Sequence, residues 1–160
     1  MPRWHNRYLD GHAHFCTATV SGWRPLLTGV ALDVLYDQWR AARQALGVKM
    51  LAYVVMPDHF HAVVWAEQRR AVSRFLQRTV GLTSSALQPG GGFWKERPRV
   101  LPVYSRRVLA AKLNYLHSDP VRTGLASGPA EWEHSSYRQL DQGLTHVAFA
   151  CDTLDGIPFR

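Results

Sequence analysis

Residues Val48–Ala66 read VKMLAYVVMPDHFHAVVWA. Two runs rich in β-forming residues flank a single Pro-Asp pair, so the stretch predicts strands over Val48–Met56 and His59–Ala66 joined by a tight turn at Pro57-Asp58. Upstream, HAHFCTATV (His12–Val20) alternates as a first strand, and Val30–Leu46 places Leu32, Leu35, Tyr36, Trp39, Ala42 and Leu46 at helical spacing, with Gly47 as its stop. Downstream, Ala71–Leu87 predicts a second helix buried through Val72, Phe75, Leu76, Thr79, Leu82 and Ala86. The segment FWKERPRVLPVY (Phe93–Tyr104) contains a fourth strand, which Pro98 and Pro102 restrict to a sheet edge or to a short segment. A third helix starts at Ser105 and is expected to stop at Pro120. The order β-α-β-β-α-β followed by a helix predicts an α+β fold, the ferredoxin-like split βαβ sandwich (βαββαβ), with the added C-terminal helix carrying Tyr115. The apolar AVVW of the third strand suits the sheet interior.

The chain has 160 residues, enough for one well-buried domain. The expected division is a core over about 12–140, an N-terminal arm (1–11) and a tail (141–160). The formal net charge of +7 points to a polyanionic partner, nucleic acid first. Cys16 and Cys151 are not in metal-type spacing and predict no disulfide framework. With no apolar signal segment and no run long enough to span a bilayer, the expected location is the cytoplasm, without membrane contact.

Successive strand residues alternate faces, so His59 and His61 project together and Phe60 projects away. Two imidazoles fixed this way can share one metal ion; the competing reading is a half-solvated pair at a hairpin end. His12 and His14 have the same spacing without the Pro-Asp turn and read as structural, with a lesser expectation that one of them approaches the site. In NYLHSDPVRTGL (Asn114–Leu125), Tyr115 and Asp119 lie four apart on a helix and share a face, although Pro120 makes that alignment approximate. A phenol beside a carboxylate can pair a nucleophile with a metal ligand; a rim aromatic and a solvated carboxylate are the alternatives. His117 reads as a helix-end cap.

Taken together, these segments resemble a known group. MPDHFHAVVW resembles the HUH motif (His, hydrophobic, His) of single-tyrosine transposases. YLHSDPVRTGL resembles the tyrosine segment of the REP-associated tyrosine transposases, usually Tyr-Ile-His-x-Asn-Pro-Val-x-x-Gly-Leu. EWEHSSYRQL resembles their Trp-x-x-Ser-Ser-Tyr element, and FWKERPRV their Trp-x-x-Arg segment. The matches run in family order from about His12 to Leu140. The resemblance implies a metal-dependent endonuclease and strand transferase that cuts single-stranded DNA near hairpins, such as REP-like palindromes, through a phosphotyrosine intermediate. By carry-over, Tyr115 is the nucleophile, and His59 and His61 hold a divalent ion, Mg²⁺ or Mn²⁺. Asp119 stands where the family has an amide ligand. Tyr137 is the rival nucleophile but belongs to the Ser-Ser-Tyr element. The resemblance implies a monomer, with a dimer as the alternative. Competing functions are a non-catalytic nucleic-acid-binding domain that kept the fold, a plain metal-dependent hydrolase, and an HUH replication initiator or relaxase.

The basic residues offer a phosphate track. Arg70, Arg74 and Arg78 repeat every four residues along the second helix, while Arg97, Arg99, Arg106, Arg107, Lys112 and Arg122 lie in the segments approaching Tyr115. Trp4, Tyr8, Trp23 and Trp94 are candidates to stack unpaired bases, with Trp94 equally suited to the core. The arm PRWHNRY mixes both residue types and is a candidate to hold a hairpin foot.

Overall fold

A computed structural model describes residues 5–159. The elements run β1 (Ala13–Thr19), α1 (Val30–Leu46), β2 (Lys49–Val55), β3 (His59–Trp65), α2 (Arg69–Leu87), β4 (Arg99–Val103), α3 (Arg106–Arg122) and a short α4 (Tyr137–Leu140). The four strands form one antiparallel sheet in the order β2-β3-β1-β4. This is the split βαβ arrangement, with β3 inside and the proline-bearing β4 at an edge. The β2–β3 turn closes through the Met56 amide, which donates to the His59 carbonyl at 2.8 Å.

Strand alternation divides the interior into two layers. Cys16, Ala18, Phe60, Ala62 and Val64 face α1 and α2, in a core filled by Leu35, Trp39, Phe75 and Leu76. The opposite face, with Ala13, Phe15, Val54 and Val63, is covered by Leu109 and Leu116 of α3. The sheet therefore separates α1 and α2 from α3, and this separation decides which basic residues can reach Tyr115.

Several expectations are corrected by packing. The α2 stripe follows Val72, Phe75, Leu76, Thr79 and Thr83. Leu82 is 43% exposed and Ala86 is also exposed, because the four-residue step from Thr79 brings Thr83, not Leu82, back to the seam. Pro120 does not stop α3, which continues to Arg122. The proline removes one donor, yet the last turn finds other partners. The Thr123 amide donates to the Asp119 carbonyl at 3.1 Å, and the Leu125 and Ala126 amides donate to the Pro120 carbonyl. Gly124, at φ 76°, then turns the chain out of the helix.

The tail, which the sequence left without structure, contributes to the core. Phe149 is buried against Tyr36, Trp39 and Tyr53, with the Arg43 guanidinium 4.7 Å from its ring centre. The otherwise free edge of β2 is closed by the segment before α4. Ser135 bridges Val54, the Val55 amide donates to the His134 carbonyl, and the Ser136 amide donates to the Tyr53 carbonyl. An edge strand with unpaired amides invites pairing with another chain, and this segment satisfies them internally. Both cysteines are free and buried. Among the described residues, no helix is long and apolar enough to cross a membrane.

Candidate metal and nucleophile site

β3 and α3 build the site. β3 starts immediately after the Pro57-Asp58 turn, so His59 is its first residue and His61 follows on the same face. On α3, Leu109 and Leu116 face the sheet, and Lys112, Tyr115, Asp119 and Arg122 form a second stripe beside them. The helix continues through Pro120, so Tyr115 and Asp119, four residues apart, both lie on its cleft-lining side.

His59, His61 and Asp119 converge, each offering one ligand atom, with all three atoms within 4.8 Å of one another. The Nε2 atoms of His59 and His61 stand 2.7 and 3.3 Å from Asp119 Oδ2. The far nitrogen of each ring is also held. His59 Nδ1 lies 2.7 Å from the Asp58 carboxylate, and His61 Nδ1 lies 2.7 Å from the hydroxyl of Thr17, its cross-strand partner on β1. Partners on the far nitrogen hold each ring and turn Nε2 toward a shared centre, the usual support for metal-binding histidines.

The donor chemistry fits a divalent ion. A carboxylate can only accept, so a His59 ring placed between Asp58 and Asp119 carries a proton on both nitrogens. Burial disfavours this cation, but the hydrogen bonds to Asp119 and Asp58 outweigh it and raise the pKa of His59 above its ordinary value. Burial and the neighbouring His59 charge leave His61 below its ordinary value despite its bond to Asp119. Burial alone would raise the pKa of Asp119, yet its bonds to the two imidazoles hold it well below the carboxylate range. A cation bound at Nε2 would take the place of the His59 proton, leaving two neutral imidazoles and one carboxylate as donors.

Tyr115 stands beside this centre, 48% exposed, with its ring edge-on to His61 at 5.5 Å and to Phe15 at 6.1 Å. Arg122 ties the nucleophile candidate to the ligand candidate. Its guanidinium carbon lies 4.2 Å over the Tyr115 ring, Nη1 donates to the Tyr115 carbonyl at 2.9 Å, and Nη2 donates to Asp119 Oδ1 at 3.1 Å. Asp119 thus gives one oxygen to Arg122 and turns the other toward the histidines. Tyr115, His59, His61 and Asp119 open into a cleft of about 590 Å³, lined also by Thr19, Trp23, Lys95, Arg97, Arg99 and Lys112.

The remaining candidates divide. Arg97, Arg99 and Lys112 line the cleft, and Arg122 borders it. Arg106 and Arg107 are exposed at the start of α3 but do not line it. Arg70, Arg74 and Arg78 sit on α2, across the sheet from Tyr115, so the α2 stripe does not join the cleft. His14 is buried and accepts the Leu9 amide, and burial pushes its pKa down to about 4. Even-numbered β1 residues face away from α3, so His14 does not approach the site, and His12 bonds the Asp10 carbonyl instead. His117 caps nothing. It is buried within α3, its Nε2 meets the Ser136 hydroxyl at 2.8 Å, and burial pushes its pKa down to about 4. Tyr137 stacks edge-on against His117 at 5.4 Å, outside the cleft. Trp94 donates to the Val80 carbonyl and packs on Phe60, Tyr8 packs against the core, and neither lines the cleft. Trp4 lies outside the described residues; in the arm, Asn6 bonds the Pro98 carbonyl and the Val100 amide. Sequence reading missed Thr17 and Lys95. Thr17 is legible only from strand register, and Lys95 sits in a loop whose path no periodicity reveals.

No family model and no curated protein matches the chain. Among solved structures, it is similar to a REP-associated tyrosine transposase bound to a REP hairpin, at 21% identity and a TM-score of 0.78, covering 100% of this chain and 98% of that one. It is also similar to a candidate transposase from Deinococcus radiodurans R1, at 23% identity and a TM-score of 0.50, covering 74% of this chain and 95% of that one. Over its whole length, therefore, the chain has the fold seen in a REP-associated tyrosine transposase.

Proposed function

We propose that the protein is a member of the REP-associated tyrosine transposase family, a metal-dependent endonuclease and strand transferase acting on single-stranded DNA beside hairpins. The observation that carries this reading is the shared cleft: Tyr115 flanks a His59–His61–Asp119 cluster whose imidazoles are each oriented from behind. A non-catalytic DNA binder has no need of that second layer of contacts.

His59, His61 and Asp119 would hold Mg²⁺ or Mn²⁺, which when bound supplies Lewis-acid polarisation of the scissile phosphate. Arg97, Arg99 and Lys112 draw the DNA backbone into the cleft. Arg122 holds the Tyr115 ring beneath its guanidinium and limits the rotation of the phenol. The Tyr115 oxygen attacks phosphorus and loses its proton. One bond from phosphorus to a sugar oxygen breaks, and that oxygen leaves as a hydroxyl. The resulting phosphotyrosine ester conserves the bond for rejoining, which hydrolysis would not. Single strands are favoured because one phosphate must settle between Tyr115 and the histidines, and a duplex is too stiff to deliver it.

The test is incubation with hairpin-bearing single strands and Mg²⁺ or Mn²⁺, followed by denaturing electrophoresis. A protein–DNA band that survives denaturation and disappears with Tyr115→Phe is expected. Binding without such a band would mean a DNA-binding domain, and cleavage without it a hydrolase. Equal cleavage of the fully paired sequence would refute the strand preference.

A further inference from the structure

Trp23 stands in a conformation that its residue type disfavours. Among the described residues it is the non-glycine residue with positive φ, at 54°, directly after Gly22 at 67°. For a bulky side chain this is an outlier that persists only where the surroundings over-determine it. The surroundings here do so. The Trp23 amide donates to the Val20 carbonyl at 3.0 Å, and the Ser21 amide donates to the Phe93 carbonyl at 2.8 Å. Arg24 donates to the carbonyls of Ser21 and Gly92. The same loop is tied to the turn that carries His59: the Val20 amide donates to the Asp58 carbonyl and the Leu27 amide to the Pro57 carbonyl, at 2.8 and 2.9 Å. Trp23 is therefore held in fixed relation to His59.

Its indole does not fill the core. It is 55% exposed, lines the cleft, and meets His59 edge-on at 6.2 Å. Lys95 Nζ lies 5.4 Å from the ring centre. Glycine or asparagine would meet the backbone demand at lower cost, so stability of the fold does not call for tryptophan here. An exposed indole beside cations, at the mouth of a cleft that closes on Tyr115, matches the chemistry of an unpaired nucleobase. The ring face away from Lys95 would stack the base, while Lys95, Arg97 and Arg99 would meet the adjoining phosphates. A paired base is already covered by its neighbours and cannot be received.

We propose that Trp23 is a stacking platform that seats one unpaired nucleobase next to the scissile phosphate, with Lys95 completing the subsite. This rests on the strand-transferase reading of the cleft. Seating a base at a fixed distance from His59 would set which phosphate reaches Tyr115.

The test uses hairpin-bearing single strands in which one abasic nucleotide is moved through successive positions beside the hairpin. Binding is measured at constant salt for wild type, Trp23→Gly, Trp23→Asn and Trp23→Phe, and unfolding midpoints are taken alongside. Base–aromatic stacking corresponds to about 5- to 150-fold in affinity. Wild type should lose that factor at one position only. Trp23→Gly and Trp23→Asn should bind the intact strand more weakly by the same factor, lose nothing further at that position, and unfold at or above the wild-type midpoint. Trp23→Phe should recover most of the affinity and show the same positional penalty. If wild type forms its Tyr115 adduct but the penalty is equally large in Trp23→Gly, or absent throughout, the subsite is wrong and the strand-transferase reading stands. If wild type binds no single strand and forms no adduct, both fall.

Discussion

Replacing Asp119 with asparagine removes one charge from a buried centre at nearly constant shape, and in the metal-free protein its cost should depend on pH in a direction set by the structure. Asp119 accepts from His59 at 2.7 Å and from Arg122 at 3.1 Å, with its side chain 9% exposed. Its folded pKa is depressed, so its contribution is present above the unfolded value of about 3.9 and is lost as pH falls through the folded value. His59 is raised, so its contribution is full below the unfolded value of about 6.5 and is lost as pH rises through the folded value. The ion pair therefore contributes most between about pH 4 and 6.5. A hydrogen bond to a charged group contributes about 1.5–3 kcal/mol, and the substituted amide would keep an oxygen for Arg122 while losing the bond from the His59 cation. The expected loss from Asp119→Asn is about 2 kcal/mol near pH 5.5, falling below about 1 kcal/mol at a pH above the raised folded value of His59, where the neutral ring can accept from the amide. Urea unfolding of both proteins in EDTA at the two pH values measures this. A cost equal at both, or larger at the alkaline one, would show that His59 and Asp119 do not form the charged pair, and the description of the site would fail.

With metal present, the Asp119→Asn adduct should persist but require about 10-fold more Mg²⁺ or Mn²⁺, read from adduct yield against metal concentration; an overlay with wild type would remove Asp119 from the ligand set. Thr17→Val, which replaces the hydroxyl behind His61 with a methyl, should weaken metal binding by about 10-fold or more and, because it leaves the buried Nδ1 unpaired, cost about 1–3 kcal/mol of stability in EDTA; unchanged metal binding by titration calorimetry would argue against the orienting role. Tyr115→Phe should abolish the covalent band while retaining DNA binding, and Tyr137→Phe should leave the band in place; the reverse pattern would exchange the two tyrosines. Each phosphate contact on single strands contributes about 0.7 to the slope of log affinity against log salt, so Lys112→Ala or Arg97→Ala should reduce the slope by about that amount whereas Arg74→Ala should not. An Arg74→Ala effect of equal size would mean that the DNA also wraps the α2 face.

The architecture was legible from local chemistry. Alternation set β1 and β3, the Pro57-Asp58 pair joined the hairpin, and α1 was bounded by Gly47, whose φ of 65° is the left-handed cap that helix ends favour. The pairing of His59 with His61 followed from a period of two, and that of Tyr115 with Asp119 from a period near four, because both are properties of a single element. What joins elements was not legible. Arg74 and Lys112 are alike as residues, and only the side of the sheet on which each helix packs brings one to the cleft and takes the other away. Leu82 and Thr83 exchanged their expected environments because a seam of alternating three- and four-residue steps depends on the neighbour it meets. His117 looked like a helix end because Pro120 looked like a stop, but helix continuation depended on amide donors several residues downstream that pair the Asp119 and Pro120 carbonyls. Phe149 and Thr17 emerged for the same reason. A residue far along the chain acquires its role from the surface or strand it lands on, and that free energy exists only once the sheet has assembled.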